Sequence, residues 1–183
     1  MTMKLLKAAM FSMALAVSGT AYAANPTVGG APMYASKNIV ENAVNSKDHT
    51  TLVAAVKAAD LVKTLEGPGP FTVFAPTNEA FAKLPKGTVD TLLKPENKDK
   101  LAKILTAHVV AGKVTAEDLI RDIKKNGGKY NMTTVSGDSL TAELKGKHVY
   151  IIDESGGAAE VTIPDVMQSN GVIHVVNALL LPK

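Results

Sequence analysis

The sequence predicts an α+β domain in which helices come first and mostly antiparallel strands follow. Apolar residues recur at helical spacing through the first half, and the spacing becomes strand-like after Gly127-Gly128. The chain then closes on a continuous apolar run from Asn170 to Pro182. A run that is apolar at successive positions is typical of a strand buried on both faces. We therefore expect the last strand to lie in the middle of the core.

The first 23 residues have the pattern of an export signal. Lys4 and Lys7 form a basic start, and residues 5–17 are apolar apart from Lys7 and Ser12. Ala21 and Ala23 supply the small residues that a signal peptidase requires. We predict cleavage after Ala23, with no membrane-inserted segment afterwards. The alternative is an uncleaved anchor, but this stretch is shorter than the ~20 residues that a membrane span needs.

Two further parts are predicted after the signal. Residues 24–35 are rich in glycine, proline and alanine, which predicts a flexible leader. Residues 36–183 contain no interior linker and no convincing repeat, which predicts one domain. A domain of this size buries about 68–70% of the surface of its unfolded chain, so it can be stable without disulfides.

Composition excludes several functional classes. The sequence has no cysteine, which rules out thiol catalysis and thiolate metal sites. Loss of Lys4 and Lys7 lowers the formal charge from +3 to +1, and the remaining lysines are interspersed with acids, as in residues 96–100. Nucleic-acid binding needs a clustered basic face, so we do not expect it here.

The helical half divides at recognisable caps and breakers. Ser36 is placed to cap a short helix with Ile39, Val40, Ala43 and Val44 on one face. An apolar stripe over Leu52–Val62 predicts a second helix. The breaker at residues 67–70 ends that helix. Further short helices are predicted at 87–93 and 96–105.

A buried strand interrupts the helices. Residues 71–75 are apolar on both faces, Pro76 ends the strand, and Thr77 is placed to cap the helical turn through Phe81. Farther on, Thr115 and Asp118 resemble a capping box that opens a helix to about Lys125. The predicted strands after this helix are 132–135, 139–144, 148–152, 161–163 and 173–181.

The candidate chemistry is sparse. None of the four histidines, His49, His108, His148 and His174, has metal-site spacing. His108 and His174 are each followed by two valines, and we predict that both are buried, neutral and hydrogen-bonded to backbone carbonyls. No nucleophile elbow, phosphate loop or dinucleotide fingerprint is present. The sequence thus predicts no catalytic residue, no metal and no cofactor.

Three segments, here called boxes, carry a family resemblance. They are Phe71–Phe81 (Phe-Thr-Val-Phe-Ala-Pro-Thr-Asn-Glu-Ala-Phe), His108–Val110, and Asn170–Asn177 (Asn-Gly-Val-Ile-His-Val-Val-Asn). In this order they resemble the first box, the central Tyr-His element and the second box of the fasciclin domain. The resemblance covers about Ser36 to Lys183. The motif residues that it assigns are Thr77, Asn78, His108, Gly171, His174 and Asn177.

The resemblance implies a fold and a function. The fold is a wedge or sandwich of mostly antiparallel strands packed against several helices. The function is binding to a protein or to a cell-surface or matrix component, without catalysis, by a periplasmic or secreted monomer. Two positions depart from the family pattern, since Ala107 replaces a tyrosine and Asn177 replaces an aspartate.

A partner-binding segment is also implied by the resemblance. In animal members, an integrin-interacting segment before the second box centres on an aspartate followed by an aliphatic residue. The matching stretch is Ile163–Met167, with Ile163 in place of a glutamate. The residues carried over are Asp165, Val166 and Met167.

Three hypotheses for function remain open at the level of sequence. The first is an adhesion module whose contact surface is formed by loops around 115–125 and 163–171. The second is a periplasmic carrier that holds a small ligand in a cleft between the helices and the wedge. The third is an enzyme that uses His108 or His174.

Overall fold

The computed structural model describes residues 24–183, so the predicted signal peptide of residues 1–23 lies outside the described part of the chain. The helices are α1 (Ile39–Ala43), α2 (Thr50–Ala58), α3 (Val62–Leu65), α4 (Asn78–Ala82), α5 (Thr88–Leu92), α6 (Lys98–Thr106) and α7 (Ala116–Lys125). Two short 3₁₀ helices cover Lys47–His49 and Pro95–Asn97. The strands are β1 (Thr27–Val28), β2 (Ala31–Pro32), β3 (Phe71–Pro76), β4 (Val109–Ala111), β5 (Lys129–Thr133), β6 (Ser139–Lys145), β7 (His148–Ile152), β8 (Ala158–Gln168) and β9 (Gly171–Val176).

Seven strands form one sheet in the order β4-β3-β9-β8-β7-β6-β5. All neighbours are antiparallel except β3 and β9, which run parallel from Phe71 opposite Gly171 to Pro76 opposite Val176. The two ends of the sheet meet, because Val110 bridges Thr134 and the Val135 N–H donates to the Val109 carbonyl at 2.8 Å. The sheet therefore curls into a wedge, and the predicted α+β class is confirmed.

The final apolar run is explained by two cores that share β9. Ile173 and Val175 belong to a core between the sheet and helices α1–α6. Val176 belongs to a second core inside the curled sheet, which also contains Leu119 and Ile123 of α7. Every residue of β9 is buried, so the prediction of a two-sided buried strand is confirmed. The strand stops at Val176 rather than at residue 181.

The segment predicted as a flexible leader is part of the packed domain. β1 pairs with β2 in a hairpin, and Val28 in β1 and Met33 directly after β2 are only 4% and 2% exposed. Both side chains join the core between the helices and the sheet. The prediction of a flexible leader over residues 24–35 is therefore wrong for residues 27–33, because two apolar side chains there gain burial that composition alone does not reveal.

The predicted caps are correct at two of three helices. The Thr77 and Thr115 hydroxyls accept the Ala80 and Asp118 N–H groups, and Asp118 completes the capping box at α7. At α1 the cap is Asn38, not Ser36: its side chain accepts from the Glu41 N–H, and the Glu41 carboxylate accepts the Asn38 N–H. Asparagine caps a helix as well as serine does, so residue type alone gave no reason to prefer Ser36 to Asn38.

Candidate functional site

The site predicted around Asp165 lies in a bulge of β8. The pairing of β8 with β9 shifts register on both sides of Ile163, between Val161 and Ile163 and between Ile163 and Val166. Pro164 has no N–H to give to the ladder, and Asp165 has a φ of 55°. Aspartate is one of the few residues that adopt this left-handed conformation at modest cost. Bulges re-aim side chains, and this one turns Asp165 towards α7.

Asp165 joins the bulge to the start of α7. Its Oδ1 accepts the Ala116 N–H at 2.8 Å, and Ala116 is the first residue of that ten-residue helix. A carboxylate is favoured at a helix N-terminus because the N–H groups there are unpaired and the helix dipole is positive. The Asp165 N–H in turn donates to His174 Nδ1 at 3.3 Å. Asp165 is thus held through both its backbone and its side chain.

His174 sits beneath this junction as a neutral, fully buried imidazole. Because Nδ1 accepts from Asp165, the proton lies on Nε2, which donates to the Val114 carbonyl at 2.8 Å. The ring stacks on Phe74 with centroids 5.7 Å apart. Burial lowers the pKa of His174, and the Val114 carbonyl and Asp165 oppose that shift. Both ring nitrogens are therefore committed to the backbone.

His108 has the complementary tautomer. The Leu180 N–H donates to Nε2 at 2.9 Å, so Nδ1 carries the proton and donates to the Ile104 carbonyl at 2.8 Å. Burial lowers the pKa of His108 to about 4. Its ring ties α6 to the C-terminal segment, and the buried Ala107 takes no part in satisfying it. The predicted environment, buried and bonded to a backbone carbonyl, is confirmed for both histidines.

Thr72 completes the junction and was missed by the sequence analysis. Its hydroxyl donates to the Gly112 carbonyl at 2.7 Å and accepts the Val114 N–H at 2.8 Å. Thr72 and His174 together therefore pin the loop that leads into α7. The available signal was a polar residue between Phe71 and Val73 in an otherwise apolar strand, since a buried hydroxyl needs partners.

The three predicted partner-binding residues have different surroundings. Asp165 and Met167 are half-buried, and Pro164 beside them is exposed. Val166 is 1% exposed and packs in the core between the helices and the sheet. A direct contact of Val166 with a partner is therefore ruled out in this conformation, because its side chain points inward. Residues 116–125, around which contact loops were expected, form α7, as the predicted capping box at Thr115 indicated.

The remaining motif residues hold elements together. Asn78 Oδ1 accepts the Thr51 N–H at 3.0 Å, and its Nδ2 donates to the Lys47 carbonyl at 2.8 Å. Gly171 lies directly against the backbone of Phe71, where a Cβ atom would overlap the Phe71 carbonyl. Asn177 Oδ1 accepts the Glu160 N–H at 3.0 Å, so the amide that replaces the family aspartate keeps an acceptor.

Within the described residues 24–183, neither a metal-binding cluster nor a membrane-spanning helix is found. These residues contain no group of three or more histidine, aspartate or glutamate side chains placed to hold a metal ion. No helix within this range combines the length and the apolar character needed to span a bilayer.

Comparison with known proteins identifies the fold and the family. The model of the fasciclin domain matches residues 47–182. The chain is 51% identical over 144 residues to protein sll1483 of Synechocystis, covering 79% of this chain and 73% of that protein. It is 34% identical over 166 residues to the immunogenic protein MPB70 of Mycobacterium bovis, covering 87% and 77%.

A solved structure shows the same fold. It is a FAS1 domain pair from the insect cell adhesion molecule fasciclin I, with a TM-score of 0.69 at 20% identity. The match covers 79% of this chain and 51% of that one, so the chain spans about half of the domain pair. Together with the matched family model, these findings show that the chain belongs to the fasciclin domain family.

Proposed function

We propose that this protein is an exported, monomeric and non-enzymatic interaction module, which binds a protein or a cell-surface or matrix component in the periplasm or outside the cell. Membership in the fasciclin family supports binding, as does the similarity in fold to a cell adhesion molecule. The signal-like pattern of residues 1–23 supports export. The bonding of His108 and His174 supports a non-catalytic role, because neither ring has a free nitrogen for proton transfer.

The proposed contact surface is the bulge of β8, represented by Pro164, Asp165 and Met167. The observation that carries this choice is the fixed position of Asp165, whose N–H and Oδ1 are both bonded within the domain. A partner that binds a side chain already held in one conformation loses less conformational entropy than one that must order it. Exposed Pro164 adds a rigid apolar neighbour to the half-buried carboxylate.

The test is affinity capture from the cell envelope with the wild-type protein, Asp165→Asn and Glu117→Gln. Asp165→Asn keeps an oxygen acceptor for the Ala116 N–H and tolerates positive φ, so it removes the charge with little effect on the fold. Glu117→Gln removes a nearby exposed charge on α7 and serves as the matched control. We expect Asp165→Asn to reduce recovery of the partner and Glu117→Gln to leave it unchanged.

Two results would count against the proposal. Equal recovery of every partner by Asp165→Asn and wild type, with equal melting temperatures, would remove Asp165 from the contact surface. Capture of no component by the wild type beyond that retained on blank resin would contradict the interaction module itself.

A further inference from the structure

The residues that follow β9 are held in the domain by side chains instead of by a strand ladder. Residues 178–183, here called the closing segment, make no backbone–backbone hydrogen bond with any other part of the described residues 24–183. Leu180 in its middle is nevertheless 0% exposed and belongs to the core inside the curled sheet. The attachment of this segment therefore depends on a few side-chain contacts and on the burial of Leu180.

Two ionisable side chains accept the N–H groups at the centre of the closing segment. The Leu180 N–H donates to His108 Nε2 at 2.9 Å, and the Leu181 N–H donates to Asp153 Oδ2 at 2.8 Å. Asp153 is 7% exposed, and its Oδ1 accepts the Gly157 N–H at 2.8 Å, so the turn after β7 holds this carboxylate in place. Two consecutive N–H groups thus point at acceptors whose capacity to accept depends on protonation.

The closed arrangement is incompatible with a protonated His108. Because Nδ1 already donates to the Ile104 carbonyl at 2.8 Å, a second proton must go to Nε2. An imidazolium has no acceptor nitrogen, so its Nε2–H would oppose the Leu180 N–H across the 2.9 Å that the hydrogen bond now spans. The charged ring would also be buried with one hydrogen bond only. Release of the closing segment relieves both penalties, because it opens Nε2 to water.

Burial, and not a charged neighbour, keeps the His108 ring neutral. Burial lowers its pKa to about 4, whereas the Ile104 carbonyl and the Asp153 carboxylate oppose that shift. Release of the closing segment removes part of the burial and leaves the Asp153 carboxylate in place. The ring therefore binds a proton more tightly when the segment is released than when it is packed.

The other ionisable groups around this junction do not replace His108 and Asp153. Lys103 on α6 donates to the Lys183 carbonyl at 2.7 Å and lies 3.9 Å from the Asp138 carboxylate, with about half of its side chain exposed. β3 and β4 carry no ionisable side chain, and β9 carries only His174, whose two nitrogens are bonded elsewhere.

We propose that His108, Asp153 and the closing segment form an acid-sensitive latch. When His108 takes up a proton, residues 178–183 leave the domain while the sheet stays folded, and part of the core inside the curled sheet is uncovered. The latch thus covers an apolar surface at neutral pH and exposes it in acid.

The size of the effect follows from the affinity of the ring for a proton in the two states. The packed ring has a pKa of about 4, and a ring released into water titrates near 6.5. The closed state is therefore fully favoured above pH 6.5 and loses its advantage as the pH falls towards 4. Linkage makes release about 30-fold more favourable at pH 5 than at pH 7.5.

The experiment follows amide hydrogen exchange by NMR at pH 7.5 and pH 5, with and without urea below the unfolding transition. After correction for intrinsic exchange, we expect protection of the Leu180 and Leu181 amides to fall about 30-fold at pH 5. Low urea should not change their exchange, because release of this segment exposes little surface. The Phe74 amide, which donates to the His108 carbonyl at 2.9 Å, should be about 10-fold or more better protected and should respond to urea.

Three variants assign the latch to its residues. His108→Gln removes the titrating ring, so the fall in protection between the two pH values is expected to disappear. His148→Gln makes the same substitution at an exposed histidine and is expected to keep the full effect. Asp153→Asn has one acceptor oxygen for two N–H groups, so protection of Leu181 should fall about 5-fold at pH 7.5, the value of one hydrogen bond, which tests the latch with His108 intact.

Several results would overturn the proposal. Equal protection of the Leu180, Leu181 and Phe74 amides would show that the closing segment opens only when the whole domain unfolds. Equal protection of the Leu180 amide at pH 7.5 and pH 5 in the wild type would remove the dependence on protons. A fall in protection in His108→Gln as large as in the wild type would remove His108 from the latch, and unchanged protection of Leu181 in Asp153→Asn would remove Asp153.

Discussion

His108 is expected to make the stability of this domain depend on pH on the acidic side of neutrality. In the folded protein burial lowers its pKa from 6.5 to about 4, whereas in the unfolded chain the ring is in water and titrates near 6.5. Between these values the unfolded state binds more protons than the folded state, so stability falls as pH falls. The stabilisation is complete above pH 6.5 and is lost progressively towards pH 4.

The size of the effect follows from the two pKa values. Linkage gives a loss of about 2 kcal/mol in the free energy of unfolding between pH 7.5 and pH 5 from His108 alone. For a domain of this size that corresponds to a drop of about 4–8 °C in melting temperature. His49 and His174 add to the loss, because burial lowers the pKa of each. Most carboxylates remain ionised at pH 5, so they contribute little in this window.

The assay is urea unfolding of the wild type and His108→Gln at pH 7.5 and pH 5, followed by circular dichroism. The variant is less stable at both values but has no imidazole at this position, so its loss between them is expected to be about 2 kcal/mol smaller. The reasoning fails if the wild type is equally stable at both pH values. It fails equally if the His108 ring in the folded protein titrates near 6.5 by NMR.

Three further substitutions test the packing. Leu180→Asp puts a carboxylate at a fully buried position of the core inside the curled sheet, so we expect the variant to show no cooperative thermal transition. A cooperative thermal transition in this variant would refute the burial of the segment around Leu180. Asn170→Ala leaves the Ile39 N–H and the Leu65 and Gly67 carbonyls without their side-chain partner. We therefore expect the free energy of unfolding, measured in urea, to fall by about 3 kcal/mol or more. A loss under about 1 kcal/mol would show that these groups find other partners. Gly171→Ala forces a methyl group against the Phe71 backbone. We expect about 1–3 kcal/mol of destabilisation in the same urea assay. An unchanged urea midpoint would contradict the close parallel pairing of β3 and β9.

The sequence predicted correctly those features that depend on residues close together in the chain, such as helix caps and a continuous apolar strand. Thr77 and Thr115 cap their helices as expected, because the hydroxyl and the N–H groups that it satisfies are three positions apart. The apolar run through β9 predicted a strand buried on both faces, because both faces are visible in the sequence itself. The hairpin at residues 27–32 was missed, because Val28 and Met33 gain their burial from distant helices and strands.

At the candidate site, too, some features could be predicted from the sequence and others depend on contacts between distant residues. The sequence by itself indicated the family and the export-like start, and it singled out Asp165 and the two valine-flanked histidines as candidates. Only the tertiary structure decided that Asp165 binds the first N–H of α7, 49 residues away, and that Val166 points into the core. Hydrogen-bond partners and burial at such separations depend on how the curled sheet brings remote segments together, and residue type and spacing do not record that arrangement.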